Sequence, residues 1–166
     1  MAGYRVEAIS SGPQPALSSH TTLALSRVDA VLNTMTVLGH SQHDDYYENY
    51  RSNCITLASA DAELNLEGNY IHRLPEEIQT LLHLRVINLS RNKFRHFPEQ
   101  LTSLQALETI NLEENEIVDV PVEKLALMES LQSVNLMSNP LNEEVRVIAR
   151  PLIKFNLLMS PAIPQV

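Results

Sequence analysis

A unit of the form LxxLxLxxN recurs through the middle of the chain, and a repeat constrains a fold more tightly than any local propensity. LRVINLSRNKF from Leu84, LETINLEENEI from Leu107 and LQSVNLMSNPL from Leu131 align directly. DAELNLEGNYI from Asp61 matches with an acid in place of the first leucine. The asparagines Asn69, Asn92, Asn115 and Asn139 are separated by 23, 23 and 24 residues. Leu74-Pro75, Phe97-Pro98 and Val120-Pro121 follow five and six residues past an asparagine. Ile78 and Leu81, then Leu101 and Leu104, come next at constant offsets; Leu125 and Met128 arrive one place late, which accounts for the extra residue of the third unit.

Alternation explains the apolar pattern. The last two apolar residues of LxxLxL point to one face of a short strand. Leu64/Leu66, Ile87/Leu89, Ile110/Leu112 and Val134/Leu136 therefore predict two columns inside a stack of parallel strands. Ile71, Phe94, Ile117 and Leu141 predict a third column, and Leu74, Phe97 and Val120 a fourth. No unit buries such a face alone, so stacking supplies the core. The asparagine falls where the chain leaves the strand, so its amide is expected to bond the turn and bridge to the next unit. Asn69, Asn92, Asn115 and Asn139 are thus the expected structural ladder. The prolines predict extended chain followed by short 3₁₀ or α turns over Glu76 to Leu82, Glu99 to Ala106 and Val122 to Ser130.

Over about Asp61 to Leu141 the pattern resembles the leucine-rich repeat in the 23-residue form of intracellular, Ras-associated members. The resemblance implies an α/β solenoid with a short curved parallel sheet inside and 3₁₀ or α turns on the convex side. It implies non-covalent protein binding on the concave face, and a role in signalling by analogy of fold class alone.

A solenoid needs both ends closed. Asn142 followed by Glu143 and Glu144 predicts a helix N-cap with acids in the first turn. Val145, Val147, Ile148 and Ala149 offer apolar surface, Pro151 is expected to stop the helix, and LIKFNLL from Leu152 offers a last strand. Residues 142–166 thus read as a cap and a mobile tail. Residues 1–60 read as an irregular or partly disordered segment, with a candidate capping helix over 22–38. CITLA from Cys54 is strand-like, yet Leu57 precedes Leu66 by only nine residues, too few for a full unit. The segment either docks irregularly or caps poorly; the second reading, favoured here, predicts that part of the first repeat is exposed.

Twenty acidic against 12 basic residues give a formal charge of −8, which disfavours nucleic acid and anionic membranes as partners. The single Cys54 excludes an internal disulfide framework. No apolar run is long enough to span a membrane, and MAGYRVEAISSGPQPALSS has no apolar signal core. The expectation is a cytoplasmic monomer that binds a protein, needs no cofactor and is not an enzyme. No Gly-rich phosphate loop or nucleophile elbow is present.

Arg85, Asn88, Arg91, Glu108, Asn111, Glu113 and Asn135 are the expected partner-binding residues, on positions that face out between the buried ones. Charge is uneven: Arg85 to Arg95 holds Arg85, Arg91, Lys93 and Arg95 without an acid, and Glu113 to Glu129 holds six acids and one lysine. That polarity fits either a charged partner or attraction between neighbouring repeats. His40, His43, Asp44 and Asp45 form a cluster of metal-ligand types, the basis of a much weaker alternative, a metal-dependent enzyme. A further alternative is self-assembly through an exposed N-terminal end. Tyr46, Tyr47 and Tyr50 lie beside acids in a segment that reads as solvated. The sequon at Asn88-Leu89-Ser90 reads as accidental.

Overall fold

In the computed structural model the described residues are 56–57 and 63–162. They form one six-stranded sheet in sequence order: β1 (Thr56–Leu57), β2 (Glu63–Asn65), β3 (Val86–Asn88), β4 (Thr109–Asn111), β5 (Ser133–Leu136) and β6 (Asn156–Met159). Strands β2 to β6 are parallel, and the register runs Leu64, Ile87, Ile110, Val134, Leu157 across all five. The fold is the α/β repeat solenoid that the periodicity predicts.

The predicted columns make the core. Leu64, Ile87, Ile110 and Val134 are fully buried, as are Leu89, Leu112 and Leu136 beside them. Phe94, Ile117 and Leu141 are buried in the third column, where the first member, Ile71, is only partly covered. Leu74, Phe97 and Val120 close the fourth. On the convex side two 3₁₀ turns, Glu76–Thr80 and Glu99–Ser103, insert Ile78 and Leu101 into this core. The third unit instead forms an α-helical turn, α1 (Val122–Ala126), with Val122 and Leu125 buried. An α turn takes 3.6 residues where a 3₁₀ turn takes 3.0, so widening the turn absorbs the extra residue without disturbing the strands. All three turns end sooner than the sequence suggests.

The chain leaves each strand through a left-handed residue. Gly68, Arg91, Glu114 and Ser138 have φ of 70°, 55°, 54° and 59°, and each immediately precedes a ladder asparagine. Glycine takes this conformation freely, whereas the other three carry a Cβ that crowds it. The surroundings hold them there: the N–H groups of Gly68, Arg91 and Glu114 donate to Ser90, Glu113 and Met137 of the next unit at 2.9–3.0 Å.

The C-terminal cap differs from expectation in three details. Helix α2 (Glu143–Leu152) starts on Asn142, whose Oδ1 accepts the Val145 N–H at 2.9 Å. It does not stop before Pro151, which lies in its last turn, and the Ile153 N–H closes that turn on Ala149 O. Val145 and Ala149 pack inward, but Val147 is 63% exposed and adds nothing to the cap, because it falls on the opposite side of the helix. The last strand starts at Asn156, not near Leu152, which still belongs to the helix.

At the other edge β1 runs antiparallel to β2, pairing Thr56 with Asn65 and Leu57 with Leu64. The strand leucines of the first unit are not exposed: Leu64 and Leu66 are buried. The candidate helix at 22–38, Asp61 and the His40 to Asp45 cluster lie outside the described residues.

Candidate functional site: the concave face and its asparagine ladder

Parallel register turns each outward strand position into a column. Glu63, Val86, Thr109 and Ser133 form one, and Asn65, Asn88, Asn111 and Asn135 the next. All eight are half-buried, held between neighbours on a surface that presents them side by side.

The concave asparagines use their oxygens internally. Asn65, Asn88, Asn111 and Asn135 each accept the N–H two residues on, at 3.0–3.1 Å, which fixes the start of the turn. Asn88 Oδ1 also accepts the Ser90 hydroxyl at 2.7 Å. Their amide groups differ. Asn88 Nδ2 donates to Glu67 at 3.2 Å, and Asn135 Nδ2 donates to Glu113 at 3.0 Å. In each case the acceptor is a carboxylate of the preceding unit. Asn111 has Ser90 at that place, a shorter side chain that is itself buried, and no hydrogen bond from Asn111 Nδ2 forms among the described residues. Asn65 Nδ2, at the edge of the column, makes none among the described residues either. Ser90, two residues on from Asn88, would face out by strand alternation but is buried where the chain turns.

Charged members of the site pair across repeats. Arg85 Nε and Nη2 donate to Glu108 Oε1 and Oε2 at 2.8 and 2.9 Å, a two-point pair between β3 and β4. Hydrogen bonding to Arg85 holds the Glu108 carboxyl below its ordinary range, against a smaller opposing effect of desolvation. Hydrogen bonding to Glu108 raises the guanidinium of Arg85 in turn. Arg91 lies between Glu67 at 3.6 Å and Glu114 at 3.4 Å. Lys93 and Arg95 share Glu116 at 3.8 and 3.2 Å, and Lys124 pairs with Glu99 on the convex side. Each of the four cations between 85 and 95 thus meets an acid of an adjoining unit, while of the six acids between 113 and 129 only Glu114 and Glu116 meet these cations.

The ladder lies one step further along the chain. Asn92, Asn115 and Asn139 are buried, and their bonds repeat. Asn92 Nδ2 donates to Leu89 O and Ser90 O in its own turn and to Leu66 O in the preceding unit, at 3.0–3.1 Å. Its Oδ1 accepts the Ile71 N–H at 3.1 Å. Asn115 serves Leu89 and Phe94 in the same way, and Asn139 serves Leu112 and Ile117. Asn69 bonds its own turn, at Leu66 O and Glu67 O.

All seven residues singled out from the sequence therefore meet on the concave face or its rim. Asn111 differs from Asn88 and Asn135 because position 90 holds a serine where positions 67 and 113 hold glutamate, a difference that the sequence reading did not single out. Among the described residues no three His, Cys, Asp or Glu side chains are grouped to hold a metal, and no helix is long and apolar enough to cross a membrane.

Parallel strands in register, an asparagine ladder and short convex turns define a leucine-rich repeat domain. A leucine rich repeat family model matches residues 62–117. Leucine-rich repeat-containing protein 20 of Mus musculus is 71% identical over 99 residues, 60% of this chain and 54% of that protein. Leucine-rich repeat-containing protein 20 of Homo sapiens is 68% identical over 110 residues, 66% of this chain and 60% of that protein. The chain thus spans little more than half the length of these curated relatives. A solved LRR protein of Leptospira interrogans matches with a TM-score of 0.53 at 32% identity, over 58% of this chain and 24% of the other.

Proposed function

We propose that the chain is a protein-binding module, an adaptor or regulatory scaffold of intracellular signalling, that holds its partner on the concave face. Leucine-rich repeat domains generally mediate protein–protein interaction. The observation that supports the concave assignment is that Asn111 Nδ2, in the middle of its column, makes no hydrogen bond among the described residues, whereas its neighbours Asn88 and Asn135 donate to carboxylates of the preceding unit. A partner that supplies an acceptor there would exchange a hydrogen bond to water for one to protein. Val86 and Thr109 next to it add apolar area, and the Arg85–Glu108 pair flanks them.

On this reading residues 61–141 are the binding unit, 142–166 close its end, and 1–60 form the N-terminal segment. The protein acts in the cytoplasm as a monomer, without cofactor or catalytic activity. Net charge of −8 supports a protein partner over nucleic acid or a membrane surface.

The double substitution Arg85→Glu with Glu108→Arg tests the proposal. It keeps an internal ion pair but reverses the charges shown to a partner. Affinity capture from cell lysate, with circular dichroism to confirm folding, is expected to lose a wild-type partner in the swapped variant. Identical capture by both proteins would move the site off this face.

A further inference from the structure

The repeats obey a pairing rule, and it fails at one place. Arg85, Arg91, Lys93, Arg95 and Lys124 each face an acid on an adjoining unit. Arg73 does not, and among the described lysines and arginines between 63 and 141 it alone has no acidic partner. The residue one repeat on from Arg73 is His96, and the residue one repeat on from His72 is Arg95.

These four side chains form a two-by-two array on one flank, where the chain passes from the third buried column to the fourth. Ile71 and Phe94 pack inward before the array, and Leu74 and Phe97 pack inward after it, so positions 72, 73, 95 and 96 are turned out to solvent. Adjacent loops are tied on both sides of it. The Lys93 N–H donates to Ile71 O at 2.8 Å, and Gln100 Nε2 donates to Leu74 O at 3.2 Å. Units stack at about the strand spacing of 4.8 Å, which brings Arg73 beside His96 and His72 beside Arg95. Lys93 adjoins them, and Glu116 is the single acid that meets this group, shared between Lys93 and Arg95. A chain with an overall charge of −8 thus gathers fixed positive charge on one flank of its first two described repeats.

We propose that this flank binds an acidic segment of a protein partner, with Arg73 and Arg95 as the charge-bearing anchors and His72 and His96 as additional donors. Arginine suits the task, since its planar donors grip carboxylates in two-point contacts. The strong negative charge elsewhere on the chain opposes a polyanion such as RNA, which would extend well past so small a patch. The inference is independent of the concave reading, because no residue is shared.

The full chain is titrated with a fluorescent peptide of alternating glutamate and serine, about 12 residues or ~40 Å when extended, and with its glutamine counterpart. The glutamate peptide is expected to bind, more weakly as salt rises, and the glutamine peptide is not. Arg73→Glu with Arg95→Glu is expected to weaken binding at least about tenfold. Arg73→Gln with Arg95→Gln is expected to weaken it less, with both variants melting like wild type. Arg150→Glu in α2, which changes the net charge by the same two units as Arg73→Gln with Arg95→Gln, is expected to leave binding unchanged. Undiminished binding by the flank variants overturns the proposal, and so does equal weakening by Arg150→Glu. Tighter binding of an oligouridylate than of the glutamate peptide overturns the choice of a protein partner. Binding that emerges only after Asp44→Asn, Asp45→Asn and Glu48→Gln overturns it in favour of the chain's own acidic stretch.

Discussion

Asn92 of one repeat closes the turn of the repeat before it. Its Oδ1 accepts the N–H of Ile71 at 3.1 Å, 21 residues back along the chain. The same amide donates three bonds, one of them to the preceding unit at Leu66 O. A single side chain therefore replaces backbone partners that two turns would otherwise lack, and it does so where water cannot enter.

Replacing Asn92 by alanine strands those groups. Asn92→Ala is expected to destabilise the domain by about 1–3 kcal/mol, the range for leaving buried polar groups unsatisfied. Asn69→Ala removes bonds only within its own, less buried turn among the described residues and is expected to lose less. Urea unfolding of the two variants beside wild type gives the comparison. Equal loss in both would deny the bridging role.

Ser138 reports on the left-handed exit. Its φ is 59°, and only its backbone N–H is engaged, on Ser160 Oγ at 2.7 Å. A β-branched residue is crowded in this conformation, so Ser138→Val is expected to destabilise by about 1–2 kcal/mol. Ser138→Gly relieves the crowding but frees the unfolded chain, and the two effects of roughly 1 kcal/mol nearly cancel. Differential scanning calorimetry should show a lower Tm for valine and a near-unchanged one for glycine.

Asn142 tests the end of the solenoid. Its side chain takes up the Val145 N–H that the helix cannot satisfy by itself. Asn142→Ala is expected to cost about 1 kcal/mol. Hydrogen exchange should localise the loss to α2 and the strand β6 that follows it, with the central strands protected as before.

Much of this was legible because each repeat restates the same instructions. Ile87, Ile110 and Val134 differ in identity but share a register, so one alignment located the strands and the buried columns together. The cap at Asn142 was legible for a local reason: an asparagine followed by two acids matches the unsatisfied N–H groups of a helix start. The left-handed positions were hidden, since Arg91, Glu114 and Ser138 carry no glycine-like signature and only Gly68 betrays the requirement. The docking of β1 was hidden too, because an antiparallel pairing of two residues at a sheet edge leaves no period to read. Pro151 misled because a proline in the last helical turn gives up one hydrogen bond without ending the helix. On the concave face the columns were legible, and so were the pairs Arg85–Glu108 and Arg91–Glu114, because the partners hold the same place in successive units; which asparagine amides find an acceptor depends on which side chains reach one another across strands.

The Arg85–Glu108 pair makes a pH prediction. The carboxyl of Glu108 is held below its ordinary value by the guanidinium, so the folded state binds that proton less readily than the unfolded chain. The pair's contribution is therefore present above the ordinary glutamate pKa of about 4.3 and is lost as pH falls through the lower folded value. Carbon-detected NMR of the Glu108 carboxyl should give a midpoint below that of free glutamate. In Arg85→Ala the midpoint should move up; an unchanged midpoint would mean that the pair is not formed in solution.

The central claim is the location of binding, and site-specific photo-crosslinking tests it most directly. Benzoylphenylalanine is placed at Thr109, in the middle of the concave columns, or at Thr80, on the exposed end of a convex 3₁₀ turn. After irradiation in cell lysate, adducts to a protein partner are expected from position 109 and not from position 80. Adducts from position 80 with none from position 109 would contradict a concave binding face.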